Sequence, residues 1–393
     1  MTDLDIERAE SLREKVKKWL YFENYDVIDI VMAVCIINRK PIDPVWLFLV
    51  DPPSSGKTEI LRAFFNSPKY ILSLSSLTPK SLISGKVTAE SHNTPKDPSL
   101  FARINNKIFI VKDFTTVLSL HPRDQAEIFS LMRDSYDGYV EKKFGQTVNV
   151  YRYKTHYGFL GGVTLAIDQA YTLNQIMGER FLKYRLETNR KKAQDRANQN
   201  RNHVEQMRTE LNAIADSFLS SFETLPEITW SEEQERIIDE TANLVTLVRT
   251  PVARNWQKFE IIEVSPAPEM PMRFASSLKN LADGLAIVRG KKSVTDQELK
   301  TVIKVAFDSL PVKLFNIIQA MWPLKDYCLH KEIAEIVKLN TATVTRVLDD
   351  FFAIGVTEMD RSGGTAGYKS ILKEKIRLQL KELLSYRFRS DIH

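Results

Sequence analysis

Cysteine is nearly absent from this chain: Cys35 and Cys328 are the only two in 393 residues. Each sits in an apolar, helix-like stretch, and neither has the spacing of metal ligands. Two isolated thiols point to a reducing compartment, and hence to a cytoplasmic protein. Long apolar runs are missing too. None approaches the length of a membrane span, and the chain opens on acidic and basic residues rather than an apolar signal region. Nor is there a marked excess of one charge: 55 Lys and Arg against 50 Asp and Glu give a formal net charge of +5 and a pI near 8.9. That balance permits an anionic partner without requiring one, because a localised basic surface matters more than the total. Internal repeats are absent. With 43% hydrophobic and 27% charged residues the chain is globular, and its length suggests two or three domains.

What is present centres on Val45-Trp-Leu-Phe-Leu-Val-Asp-Pro-Pro-Ser-Ser-Gly-Lys-Thr58. This reads as a buried strand running into a phosphate-cradling loop, followed by a helix from Glu59 to about Asn66. Gly56 lets the backbone approach a phosphate, Lys57 reaches the β/γ-phosphates of ATP, and the Thr58 hydroxyl ligates Mg²⁺. The helix adds its positive dipole end and free N–H groups. Pro53, Ser54, Ser55, Gly56, Lys57 and Thr58 are therefore the candidate nucleotide-binding residues. A Gly-Lys-Thr triplet alone is weak evidence, but the apolar run ahead of it and the helix-forming run behind strengthen it. One departure matters. The first glycine of G-x-x-x-x-G-K-[ST] is Asp51 here, and Pro52 and Pro53 stiffen the loop instead.

Residues Leu4 to about Arg39 carry apolar positions at helical spacing, as two helices split near Asn24-Tyr25. After the loop, Tyr70–Leu74 and Lys107–Asp113 read as strands, Asp124–Tyr136 as a helix, and Tyr139–Tyr157 as a hairpin with Gly145 near its tip. Phe159–Ala166 is a fourth strand whose glycines mark close backbone packing. Strands separated by helical segments imply an α/β fold with a predominantly parallel sheet covered on both faces. From Thr188 the character changes. Asn189–Leu211 is highly polar and reads as an exposed helix, with a looser linker as the alternative, and its basic residues Arg190, Lys191, Lys192, Arg196 and Arg201 as a solvated face. Helical patterns follow over Ser231–Arg249, Arg273–Arg289 and Thr295–Phe307, with Phe259–Val264 ambiguous. From Pro311 onward, helix, short turn, helix and a two-stranded wing with a Gly-rich tip at Ser362–Gly367 make a winged-helix pattern. The resulting division is 1–40 (helical), 41–187 (α/β core), 188–310 (helical insertion and lid) and 311–393 (winged helix).

A nucleotide site also needs an acid that positions Mg²⁺ and, for hydrolysis, a base that orients water. Asp113 ends a buried strand where such an acid belongs. Two registers fit. If the strand extends through Lys112, the favoured reading, Asp113 is the Mg²⁺ ligand and Phe114 stands where a base is usual, so no general base is identified. If the strand stops at Val111, Lys112 takes the ligand's place and Asp113 the base's.

The order of P-loop, strand with Asp113, hairpin, Thr-ended strand and Gly178-Glu-Arg-Phe181 resembles the AAA+ ATPases, and most closely the MCM-like helicases of phages and mobile elements. The resemblance covers roughly Val45 to Leu310, with a similar C-terminal winged helix beyond. It implies that Thr164 is the polar sensor beside the γ-phosphate, with Asp168 as the alternative. It implies that Arg180 is an arginine finger reaching a neighbouring subunit's ATP in a hexameric ring, and that Arg273 is a second sensor in the lid. A permanently charged planar fork suits charge spread over phosphate oxygens. The hairpin bearing Lys142 and Lys143 would project into the ring's channel and track DNA phosphates. In the winged helix, Thr341, Thr343, Thr345 and Arg346 begin the would-be recognition helix, which is poor in Lys and Arg.

The function this implies is an ATP-dependent helicase or translocase on single-stranded DNA, with ATP and Mg²⁺ as cofactors and a loader or primase-type partner. Two rivals stay open: a non-helicase ATPase switch that assembles on DNA and recruits partners, and a DNA-binding regulator whose P-loop fold has lost catalysis. The departures at Asp51 and Phe114 bear on hydrolysis more than on binding.

Overall fold

A computed structural model describes residues 1–84, 97–143, 150–169, 180–254, 265–364 and 367–388. The chain divides into two compact units, Met1–Trp230 with Ser276–Glu298, and Ser231–Ala275 with Leu299–His393. Among the described residues no helix is long and apolar enough to cross a membrane.

The first unit opens with α1 (Asp3–Trp19) and α2 (Asp26–Ile37). α1 is amphipathic and begins on a Thr2–Asp5 capping box. α2 is apolar almost all round, Asp29 excepted, and is accordingly buried from Val27 to Ile37. Strand β1 (Trp46–Val50) leads through the loop into α3 (Lys57–Arg62), followed by β2 (Ile71–Leu74), the single turn α4 (Pro79–Leu82) and β3 (Ile108–Val111). Next come α5 (Thr115–Leu118), α6 (Pro122–Tyr136), the hairpin β4 (Tyr139–Lys143) and β5 (Val150–Lys154), then β6 (Gly158–Val163) and β7 (Phe181–Arg185). Helices α7 (Arg190–Gln199) and α8 (Val204–Ser221) complete the series, joined by a 3-10 turn at Arg201–His203.

Five strands form one all-parallel sheet in the order β2-β3-β6-β1-β7. All five residues of β1 are buried, as expected of a central strand covered on both faces. Side chains alternate across the sheet. Trp46, Phe48, Val50, Phe109, Phe159 and Phe181 enter one core with Phe114 and Phe129. There the Phe48 ring centroid lies 4.4 Å from that of Phe181 and 4.9 Å from that of Phe114. Trp46 satisfies its indole N–H on Tyr157 O at 2.9 Å. The glycines of β6 are required by close approach: a Cβ on Gly162 would stand 2.5 Å from Lys112 O, and one on Gly161 2.7 Å from the Phe48 ring.

The parallel α/β sheet is thus as the sequence implied, with four corrections. The strand expected to run through Lys112 ends at Val111. The one expected through Ala166 ends at Val163, so Thr164 lies just beyond it and Leu165–Gln169 form a 3-10 turn. The polar segment read as one helix is two. A fifth strand, β7, was not anticipated; it pairs with β1 on the side away from β6. The hairpin tip at Gly145, the Gly178-Glu179 half of the finger motif and Phe259–Val264 lie outside the described residues.

The second unit contains helices Glu232–Val248, Val312–Met321, His330–Val337, Thr341–Ala353 and Glu374–Phe388. A small antiparallel sheet joins Cys328–Leu329, Lys369–Leu372 and Thr357–Asp360, with Lys369–Leu372 in the middle. His330 ties these parts together. It is 3% exposed, its Nδ1 lies 3.1 Å from Thr345 Oγ1 and its Nε2 2.8 Å from Ser370 Oγ. Burial holds its pKa below the usual 6.5, with Asp349 opposing and Arg361 reinforcing the shift. Above pH 6.5 the ring is neutral folded or unfolded, so its contribution is complete. As pH falls below 6.5 the unfolded chain takes up the proton first, and stability is lost down to the depressed folded value. Melting temperatures at pH 7.5 and 5.5 check this: wild type should lose more than His330→Gln, and equal losses would refute it.

Candidate nucleotide site

The loop after β1 emerges at the carboxyl end of the sheet, where parallel α/β folds place their ligands. Asp51 N–H donates to Val163 O at 3.2 Å, pinning the loop to β6. The chain then turns twice through the left-handed region, at Ser54 (φ 65°) and Gly56 (φ 89°). Gly56 adopts this without strain; Ser54 costs about 1 kcal/mol relative to glycine. Phe22 closes one side of Gly56, its ring 3.4 Å from where a Cβ would stand. Pro52 and Pro53 have no N–H to offer an anion. Among the described residues the backbone N–H groups of Ser54, Ser55, Gly56, Lys57 and Thr58 make no backbone hydrogen bond, an arrangement that suits an anion.

Lys57 is 5% exposed and donates from Nζ to Asp51 O at 3.0 Å and Pro52 O at 2.9 Å. Burial lowers its pKa, against the opposing fields of Asp51 and Asp113. Asp51 is 7% exposed and accepts a 2.7 Å hydrogen bond from Thr188 Oγ1. Burial raises its pKa, and the Thr188 hydroxyl opposes the shift. Ser55 Oγ is buried near enough to Asp51 to lower that carboxyl's pKa, yet makes no hydrogen bond of ordinary geometry. A buried orphan hydroxyl beside free N–H groups and an ammonium fits a bound phosphate.

Two neighbouring strands bring further groups to this edge. Asp113 follows β3 by two residues, is exposed, and accepts from Thr115 N–H at 3.0 Å. The strand stops at Val111 because Phe114 turns fully into the aromatic core, its N–H on Gly162 O at 2.7 Å. The strand end is therefore that of the shorter register, in which Asp113 would stand in the base's place and Lys112 in the ligand's. Thr164 lies just past β6, and its N–H donates to Thr115 Oγ1 at 3.1 Å. Thr115, which sequence reasoning missed, thus links Asp113 to Thr164; nothing in the sequence distinguishes it from other helix-starting threonines.

Other candidates lie elsewhere or are already engaged. Arg180 is 7% exposed and donates from Nη2 to Asp137 at 2.7 and 3.0 Å, with its guanidinium over the Tyr136 ring. It is thus bound within its own chain, and contact with a neighbouring subunit requires that pair to open. Asp168 makes a two-pronged pair with Arg185, at 3.0 and 2.6 Å. Arg273 belongs to the second unit and is exposed in the first turn of the helix Met272–Val288. Lys142 pairs with Glu127 of α6, whereas Lys143 is exposed at the end of β4. Thr341, Thr343 and Arg346 are exposed on their helix, while Thr345 turns toward His330.

A cavity of about 450 Å³ opens beside the loop, a size suited to a small ligand. Ser54, Gly56 and Thr58 form one wall, Trp19–Tyr21 at the end of α1 a second, and α7–α8 the third. Arg196 and Asn200 hold the walls together by donating to the last carbonyls of α1: Lys18 O at 2.6 Å and Trp19 O at 2.7 Å. Arg196, expected on a solvated face, is therefore partly buried and structural. No protein-family model matches the chain, and no curated protein matches it either.

Proposed function

We propose that the chain is a P-loop ATPase of the AAA+ type, acting as a ring on single-stranded DNA and coupling hydrolysis to movement along the strand. The observation that carries this reading is the meeting of Lys57, Asp113 and Thr164 at the carboxyl ends of three adjacent strands, β1, β3 and β6. Because β6 lies between the other two, a terminal phosphate held by Lys57 would face Thr164 and Asp113. The N–H groups of Ser54–Thr58, the Ser55 hydroxyl and the Lys57 ammonium bind and orient the phosphates. Thr58 is the Mg²⁺ donor of this reading, and the ion when bound would neutralise charge on the phosphate oxygens. As metal ligand or as the acid that orients water, Asp113 contributes the same exposed carboxylate, held by Thr115.

Lys143, at the end of the described part of the hairpin, and Thr343 with Arg346, on the second helix of a winged-helix-like C-terminal unit, are the DNA contacts of this reading. Arg180 acts as finger only once its pair with Asp137 opens, and Arg273 is the lid arginine of this reading. The test is steady-state ATP turnover with and without single-stranded DNA. Stimulation of several-fold is expected; turnover indifferent to DNA would sink the motor. One observation favours the second reading, an ATP-dependent switch that assembles on DNA without unwinding it. With β3 ending at Val111, Lys112 rather than a carboxylate stands where a metal ligand is usual, so the site's chemistry suits binding better than fast turnover.

A further inference from the structure

We infer that Arg208 is a phosphate-binding arginine that the chain supplies to its own loop, parked on Glu59 until a nucleotide displaces it. This rests on the P-loop reading above. Arg208 projects from α8 into the cavity beside the loop, and Glu59 follows Thr58 in the first turn of α3; both side chains line the cavity with Ser54, Gly56 and Thr58. The guanidinium donates in two-pronged fashion to Glu59, Nε to Oε2 at 3.1 Å and Nη2 to Oε1 at 2.9 Å. A carboxylate that accepts this fork presents the same acceptor geometry as a phosphate.

The pair is poorly suited to a purely structural role. Arg208 and Glu59 side chains are 31% and 24% exposed, and ion pairs so open to water contribute little to stability. Exchange is also cheap on the Glu59 side, because Arg62 Nε stands 3.8 Å from Glu59 Oε1 and remains as a counter-ion. The cavity fixes which phosphates are involved. Lys57, Asp113 and Thr164, which face the terminal phosphate, are not among its walls, whereas Trp19–Tyr21 and Met207 offer apolar surface to a nucleoside. Arg208 therefore meets the phosphates nearest the nucleoside, the ones ATP and ADP share. Occupancy then moves the ion pair that joins α8 to α3.

Calorimetric titration of ATP and of ADP, each with Mg²⁺, into the full chain tests this. Arg208→Ala should weaken both nucleotides by a similar factor, about tenfold. Glu59→Gln should act in the opposite sense and tighten both about threefold, since an amide with one acceptor oxygen holds Arg208 more weakly than the carboxylate fork and a negative charge beside the phosphates is removed. If the two variants weaken binding alike, the pair is a structural clamp and the inference is wrong; it is equally wrong if neither changes affinity. Failure of the wild type to bind either nucleotide would overturn the P-loop reading itself. Tight wild-type binding with unmoved variants would overturn only the role of Arg208.

Discussion

Replacing Lys57 by alanine is expected to cut ATP turnover by at least about 100-fold, the scale on which a preorganised charge at a transferring phosphoryl group acts. Two effects combine. The ammonium that would lie against the β/γ-phosphates is lost, and the loop loses its internal brace, because Lys57 Nζ holds the carbonyls of both Asp51 and Pro52. With Asp51 buried beside it, the variant also leaves that carboxyl without its nearest cation. Steady-state phosphate release reads the catalytic effect, and thermal unfolding of the nucleotide-free protein separates it from loss of fold. Turnover within twofold of wild type, in a variant that melts normally, would remove the loop from the chemistry and with it the ATPase reading. Loss of turnover with ADP affinity retained would place Lys57 on the terminal phosphate, the side away from the Arg208 cavity.

The parts of this site that local sequence could reveal were those whose burial is written in continuous apolar runs. β1, β3 and β6 are such runs, and the groups at their ends, Lys57, Asp113 and Thr164, could be named from them. Where the runs end was less legible. The second strand after the loop was read as running through Lys112, but burying the Phe114 ring in the Phe48–Phe129–Phe159 cluster ends it at Val111. β7 escaped notice because Lys183 and Arg185 interrupt its apolar alternation; the strand is recognisable only from Phe181, Leu182 and Tyr184 buried beside β1. Partnerships at long range were not legible at all. Arg180 with Asp137, 43 residues apart, and Arg208 with Glu59, 149 apart, depend on tertiary placement that no local pattern encodes. The polar face of α7 was read as solvated because charge marks exposure on average. Arg196 escapes that rule by capping the carbonyl end of α1.

A second large effect is expected far from the loop, at Arg289. Its side chain is 5% exposed and donates to Asp29 Oδ2 at 2.7 Å, Glu298 Oε1 at 3.0 Å and Asp26 Oδ1 at 3.1 Å. The Glu298 side chain is fully buried and also accepts from Lys291 Nζ and from the Thr295 hydroxyl at 2.6 Å. Arg13 of α1 joins the network through Asp29 at 2.6 Å and Val288 O at 2.8 Å. Arg289→Ala leaves buried carboxylates short of their main cation, which costs about 3–5 kcal/mol. The first unit should melt about 10 °C lower on this account, followed by the fluorescence of Trp46 at its core. Arg289→Met combined with Glu298→Met should recover part of the loss, because removing both charges of a buried pair costs less than removing one. If the double variant melts lower than the single, buried charge imbalance is not the cause. The consequence reaches the nucleotide site through α2. A Cβ on Gly284 would stand 2.9 Å from Ala33 O, so α2 and the helix Met272–Val288 are in close backbone contact. At the end of α2, Asn38 exchanges hydrogen bonds with Val45, 2.8 Å to its N–H and 3.2 Å to its carbonyl, and so fixes where β1 begins. A network that loosens α2 therefore shifts the strand that carries the loop, and partial loss of nucleotide affinity should accompany the fall in stability.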